Sequence, residues 1–166
     1  MIIINEGDGK GKTTAAMGQA IRAKGQGMRV KVIQLIKSEP SGELAMLRKL
    51  GIAVEQYGLG FTKDGDKVLH KMAAERGIQA ISKAIARNDI EMIICDEINY
   101  AVSNGLVEEE YVLKLIAKAK ENDTHLILTG RNPTAKMIEA ADIVTNMVKV
   151  KHAFDNGIEA QQGIEY

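Results

Sequence analysis

Apolar residues along this chain come in two rhythms. Short, mainly apolar runs at 2–4, 30–36, 54–57, 92–95, 126–129 and 143–148 have strand length and are rich in Ile, Val and Leu. Between them, the segments 12–24, 41–50, 67–86, 108–120 and 134–140 repeat their apolar positions with a helical period. Strands that alternate with helices pair in parallel through right-handed crossovers. The pattern therefore predicts an α/β fold of the P-loop NTPase-like kind, a mostly parallel sheet with helices on both faces. Pro133, after Arg131 and Asn132, is placed to open the last helix. The glycine-rich stretch 58–65 is expected to be an exposed connection. No internal repeat, low-complexity tract or charge block interrupts the pattern, so 1–166 is expected to be one domain.

Composition narrows the function classes. Lys and Arg together number 22 and Asp and Glu 22, so no net field favours a nucleic acid or an anionic membrane, and neither is expected as a partner. A single cysteine, Cys95, cannot form an internal disulfide, and with no apolar run of membrane-spanning length and Met1 opening directly into a strand, a cytoplasmic location is expected. The histidines His70, His125 and His152 are scattered in no metal spacing, and nothing near Cys95 would activate its thiol.

Three strand ends carry the candidate chemistry. The first run leads into Asn5-Glu6-Gly7-Asp8-Gly9-Lys10-Gly11-Lys12-Thr13-Thr14 and then a helix. This is the setting of a phosphate-binding loop, in which backbone N–H groups and a helix N-terminus face an anion. Lys12 supplies a mobile cation and Thr13 a hydroxyl for Mg²⁺. Counting back from Lys12, the usual first glycine falls on Glu6, and the glycine comes one place later at Gly7, so the loop is short by one residue or differently shaped. The strand 92–95, expected next to the phosphate loop in the sheet, ends in Asp96-Glu97, adjacent carboxylates placed to serve a metal there. The strand 126–129 ends in Thr129-Gly130-Arg131, where Arg131 can fork onto phosphate oxygens. Arg22 lies two and a half turns beyond Thr13 by the helical repeat, where a phosphate contact and a solvated surface residue are both open.

Taken in order, Gly7 to Ala16, Asp96-Glu97-Ile98-Asn99-Tyr100, Thr129-Gly130-Arg131, and a tail running from Val150-Lys151-His152-Ala153-Phe154-Asp155 to Gly163-Ile164-Glu165-Tyr166 resemble the P-loop type of ATP:corrinoid adenosyltransferase. The tail is the specific part, and the shortened loop is that family's own spacing. The resemblance implies a reaction in which the cobalt(I) of a reduced corrinoid attacks the 5′ carbon of ATP and inorganic triphosphate leaves. Such a nucleophile needs no catalytic base, which fits the absence of a His or Cys constellation. It implies catalytic roles for Lys12, Thr13, Glu97 and Arg131, and ATP contacts from the loop residues Gly7, Asp8, Gly9, Lys10, Gly11, Lys12, Thr13 and Thr14 and from Arg22 and Arg131. Mg²⁺ or Mn²⁺ is expected on Thr13, Asp96 and Glu97. ATP is expected to lie reversed relative to most P-loop proteins, and a homodimer and a flavoprotein electron donor are implied. Phe61 matches the segment whose bulky side chains displace the lower ligand of the corrin.

Departures from the family pattern are Lys63, where some members carry tryptophan, and Glu6, where a small hydroxylated residue is usual, and the N-terminal extension that caps the corrin in longer members is expected to be missing. Two other classes use the same motifs. A P-loop ATPase or kinase would employ Glu97 to activate water or an acceptor hydroxyl and release ADP. A carrier would bind its ligand and turn nothing over.

Overall fold

The computed structural model describes residues 1–39, 41–60 and 67–165. Strands β1 (Ile2–Glu6), β2 (Val30–Gln34), β3 (Ala53–Gln56), β4 (Met92–Asp96), β5 (His125–Thr129) and β6 (Ile143–Asn146) form one sheet in the order β3-β2-β4-β5-β1-β6, and every pairing is parallel. Among the described residues six α-helices connect or follow them: α1 (Lys12–Gly25), α2 (Gly42–Lys49), α3 (Lys67–Arg87), α4 (Ile98–Ser103), α5 (Glu109–Glu121) and α6 (Ala135–Ala140).

Alternation along the strands decides which helix goes where. Ile2, Ile4, Ile33, Leu35, Ile93, Cys95, Leu126 and Leu128 point to one face and form a core with α3, α4 and α5. Ile94, Val30, Val32, Met92 and Ile127 point to the other and pack on Ala16, Met17, Ala20 and Ala23 of α1 and Leu44 and Leu47 of α2. Both faces of the central strands are thus apolar, as a buried parallel sheet requires. The small side chains of α1 let that helix lie close to the strands it crosses, which places its first turn over the sheet.

Four details differ from the sequence pattern. Helix cover fails at the β6 edge, where all four residues are exposed, because α6 spans only six residues and buries only Met137. β2 ends at Gln34, although Leu35 and Ile36 remain buried. Pro133 lies outside α6, whose N-cap is Thr134, its hydroxyl accepting from the Met137 N–H at 3.3 Å. Helix α4 was not predicted, being too short for a helical period to register. In addition, a 3₁₀ turn, Ala153–Asn156, interrupts the largely exposed tail.

Beyond β3 the chain crosses back over β2: Gly58 passes so close to the backbone of Ile36 that a Cβ there would overlap it, and Gly60 donates to Ile36 O at 2.9 Å. The segment 58–60 is thereby tied to the rim of the sheet. Phe61 and Lys63 lie outside the described residues.

Candidate active site

The C-terminal ends of the strands make one rim, and the three predicted motifs meet there. β4 is not the neighbour of β1, since β5 lies between them. The link from the phosphate loop to Asp96 is made instead by the first turn of α1, which brings Thr13 over β5. Its hydroxyl donates to Asp96 Oδ1 at 2.8 Å. Asp96 is wholly buried and accepts three further contacts: from Thr129 Oγ1 at 2.7 Å, from Gln34 Nε2 at 2.9 Å, and an ion pair with Lys37 Nζ at 3.3 Å. Gln34 in turn accepts from Gln56 Nε2 at 3.0 Å. A chain of polar side chains thus runs from β3 to β5 beneath the loop, each supplying what the next one lacks. A buried carboxylate requires such satisfaction.

Glu97 makes the turn from β4 into α4 alone, at φ 63° and ψ 22°, with its N–H donating to Thr129 Oγ1 at 2.9 Å. Glutamate in the left-handed region carries a conformational cost, which the tight strand-to-helix turn imposes. The conformation puts the Glu97 side chain on the wall of a cleft of about 740 Å³. Burial and the neighbouring Asp96 hold its carboxyl above the ordinary range, against the pull of Lys37, Lys12 and Arg131.

The loop expected to bind phosphate forms the opposite wall. Lys10, Gly11, Lys12, Thr13 and Thr14 line the cleft. Gly11 sits at φ 118° as the N-cap of α1, offers no side-chain cap, and is followed by a first turn without acidic residues, so the leading N–H groups of the helix are left for an anion. The Lys12 ammonium is folded back onto Gly9 O at 2.7 Å. Burial, and then Arg131, lower its basicity, while Glu97, Asp8 and Glu6 raise it. Arg131 reaches the loop from the end of β5 and pairs with Asp8 at 3.1 Å, although both side chains are largely exposed.

Not all the loop's backbone is free for an anion. After β6 the chain runs across it: Met147 N donates to Glu6 O at 2.8 Å, and Gly9 N donates to Met147 O at 2.6 Å. A Cβ on Gly9 would lie 2.5 Å from Met147 O and 2.8 Å from Val148 O. Glycine at this place is therefore required by a passing backbone as well as by any ligand. Gly9→Ala is expected to separate the loop from this strand, lowering the melting temperature and weakening nucleotide binding together, as thermal melts with and without ATP would show. A stable variant that binds nucleotide normally would mean that the crossing is dispensable.

The tail also contributes: Gly163, Ile164 and Glu165 line the cleft near Gly42, Glu43 and Met46 of α2. Sequence reasoning named the tail only for its resemblance, and it missed Gln34, Lys37 and Met147 altogether. Gln34 and Lys37 could have been weighed as polar residues at a strand end on the same rim; Met147 carries no local signal. Arg22 is exposed on α1 and is not among the residues lining the cleft. Cys95 is buried behind Asp96, and burial and that carboxylate push its thiol far up, out of nucleophilic use. Among the described residues no cluster of three His, Cys, Asp or Glu side chains could hold a metal unaided.

The sequence matches the family model described as ATP:corrinoid adenosyltransferase BtuR/CobO/CobP over residues 1–166. It is 39% identical over 170 residues to a corrinoid adenosyltransferase of Pseudomonas aeruginosa, covering 100% of this chain and 83% of that protein. The corresponding protein of Escherichia coli K12 is 38% identical over 168 residues, with 100% and 85% covered. That of Salmonella typhimurium is 36% identical over 168 residues with the same coverage.

Proposed function

The chain belongs to the ATP:corrinoid adenosyltransferase family, and on that premise we propose that its cleft grips ATP by the triphosphate and turns the ribose C5′ toward a reduced corrinoid. The electron pair of cobalt(I) forms the cobalt–carbon bond, the C5′–oxygen bond breaks, and inorganic triphosphate departs with that oxygen. The observation that carries this reading is the convergence of Lys12, Thr13 and the uncapped first turn of α1 on one wall of the cleft, with Arg131 at the loop's edge. These groups neutralise the charge that collects on the leaving group, and the corrinoid brings its own nucleophile, so the protein's work is placement and electrostatics.

A divalent cation, Mg²⁺ or Mn²⁺, suits the donor set. Thr13 gives its proton to Asp96 Oδ1 and so keeps oxygen lone pairs for a metal. Thr13 and Glu97 would hold the ion directly, while Asp96 would act by fixing the Thr13 hydroxyl. Few protein oxygens and several phosphate oxygens is the usual environment of Mg²⁺. When bound, the ion supplies charge neutralisation to the triphosphate. Gly7, Asp8, Gly9, Lys10, Gly11 and Thr14 would shape the loop around the phosphates. Arg22 would act only if the ligand or a partner extends to its exposed helix face.

Incubation with MgATP and chemically reduced cobalamin is expected to give the adenosylated spectrum and one triphosphate per adenosyl group. ADP in place of triphosphate would overturn this in favour of an ATPase or kinase, and binding without turnover in favour of a carrier. A homodimer and a flavoprotein donor belong to the same proposal. No described helix is long and apolar enough to cross a membrane, and a cytoplasmic location is proposed.

Phe61 is proposed to displace the lower ligand of the corrin, easing reduction of cobalt(II) by removing an axial donor. Phe61→Ala should then depress the reaction strongly when cobalt(II) is supplied with a flavoprotein donor and less when cobalt(I) is made beforehand. Equal losses in the two assays would assign Phe61 to corrin positioning instead.

A further inference from the structure

Lys37 stands in the cleft with no part in the reaction as described. It follows β2 at the rim and lines the wall with Lys12 and Thr13. Its ammonium lies 3.3 Å from Asp96 Oδ2 and donates to Thr13 Oγ1 at 3.3 Å. Neither contact is tight, since charge-assisted N–H···O bonds run at about 2.7–2.9 Å. Nor does Asp96 depend on the lysine for its hydrogen bonds: Thr13, Thr129 and Gln34 already donate to its two oxygens at 2.7–2.9 Å. Two of its three donors are committed at long range, and among the described residues no contact takes the third, which is left for a ligand. Thr13 Oγ1 is also an oxygen through which the divalent cation would be held, and two cations cannot share it without repulsion.

We propose that Lys37 is a further triphosphate-binding residue, parked on Thr13 and Asp96 in the free protein and transferred to phosphate oxygens when the metal–nucleotide enters. The inference rests on the phosphate-loop reading of the cleft. A lysine suits the task because its charge is compact and its four-carbon stem can swing. It also comes from a different side. Lys12 and the helix N-terminus approach from the loop, whereas Lys37 approaches from the β2 side, beside the wall formed by Gly42, Glu43 and Met46 of α2. A triphosphate between them has cations on two flanks, which spreads neutralisation along the chain of phosphates.

The test is calorimetric binding of inorganic triphosphate in the presence of Mg²⁺ to the full chain and to Lys37→Met, Lys37→Gln, Lys37→Arg and Lys12→Ala, each with a thermal melt. Lys37→Met is expected to bind roughly tenfold or more weakly, the scale of a lost charged hydrogen bond, and Lys37→Arg to stay within about threefold of the parent. Lys37→Gln keeps a polar amide near Thr13 and Asp96, on a slightly shorter side chain, and removes the charge. It should show the same loss as the methionine variant and replaces it if that variant fails to fold. A lowered melting temperature with unchanged triphosphate affinity would make Lys37 a structural counter-ion of Asp96 and overturn the proposal. Loss in Lys12→Ala with none in the Lys37 variants removes this proposal alone, whereas no loss in either removes the phosphate-loop reading beneath it.

Discussion

Asp96→Asn is expected to lower both stability and activity, and by more than any other isosteric change in the site. The side chain is wholly buried and serves as acceptor to Thr13, Thr129 and Gln34 and as ion-pair partner to Lys37. Asparagine fits the same space and its carbonyl can still accept from the two threonines. Its amide, however, turns donors toward Gln34 Nε2 and Lys37 Nζ, which are donors themselves. Gln34 cannot simply flip, because its carbonyl already accepts from Gln56. Leaving a buried donor unpaired costs about 1–3 kcal/mol, and opening a buried ion pair about 3–5 kcal/mol. The partial exposure of Lys37 moderates the second term, so a net loss of about 3 kcal/mol is reasonable. For a domain of this size that corresponds to roughly 6–12 °C in melting temperature. Activity should fall further, on the order of a hundredfold, because Thr13 loses the ionised partner that orients its hydroxyl. A melt unchanged within about 2 °C, together with an unaltered Mg²⁺ requirement, would show that the network under the loop is not what holds Thr13.

That network also marks where the sequence stops being readable. The six strands could be placed because most are short apolar runs between helical segments, and the parallel sheet follows from that alternation. Their lateral order could not, since nothing in a linear pattern says that β5 inserts between β1 and β4. The consequence is local: Asp96 was expected beside the phosphate loop through strand adjacency, and it is reached through the first turn of α1. The same gap hides Gln34, whose amide reads as an ordinary strand terminus until β2 is known to pair with β4. Helix α4 escaped because its six residues are too few for a helical period to register, and Glu97 enters it in a left-handed conformation without a glycine to announce the turn. Gly9 was legible as a loop glycine, yet part of its reason lies 138 residues away at Met147. Residues 61–66, on which the corrin side of the reading rests, are outside the described structure, so Phe61 stands on resemblance alone.

Lys12→Ala is expected to cost at least tenfold in kcat/KM for ATP while leaving the fold intact. Among the described residues the ammonium makes one hydrogen bond, to Gly9 O, and burial and the Arg131 charge already lower its basicity. Such a group is weakly satisfied where it stands and gains most when a polyanion enters, because phosphate offers it ionised acceptors in place of a neutral carbonyl. A charged hydrogen bond to phosphate is worth about 1.5–3 kcal/mol, and each 1.36 kcal/mol is a factor of ten, so losses of roughly ten- to a hundredfold follow. How the loss divides is informative. Negative charge grows on the triphosphate as the C5′–oxygen bond breaks, so a lysine aimed at the leaving group should lower kcat as well as raise KM. One that merely anchors ATP should raise KM alone. Stability should hardly change, since among the described residues only the Gly9 contact is lost. Near-parental turnover at subsaturating ATP would remove Lys12 from the leaving-group site. The loop would then be shaped by the passage of Met147 alone, with the phosphates bound elsewhere on the rim.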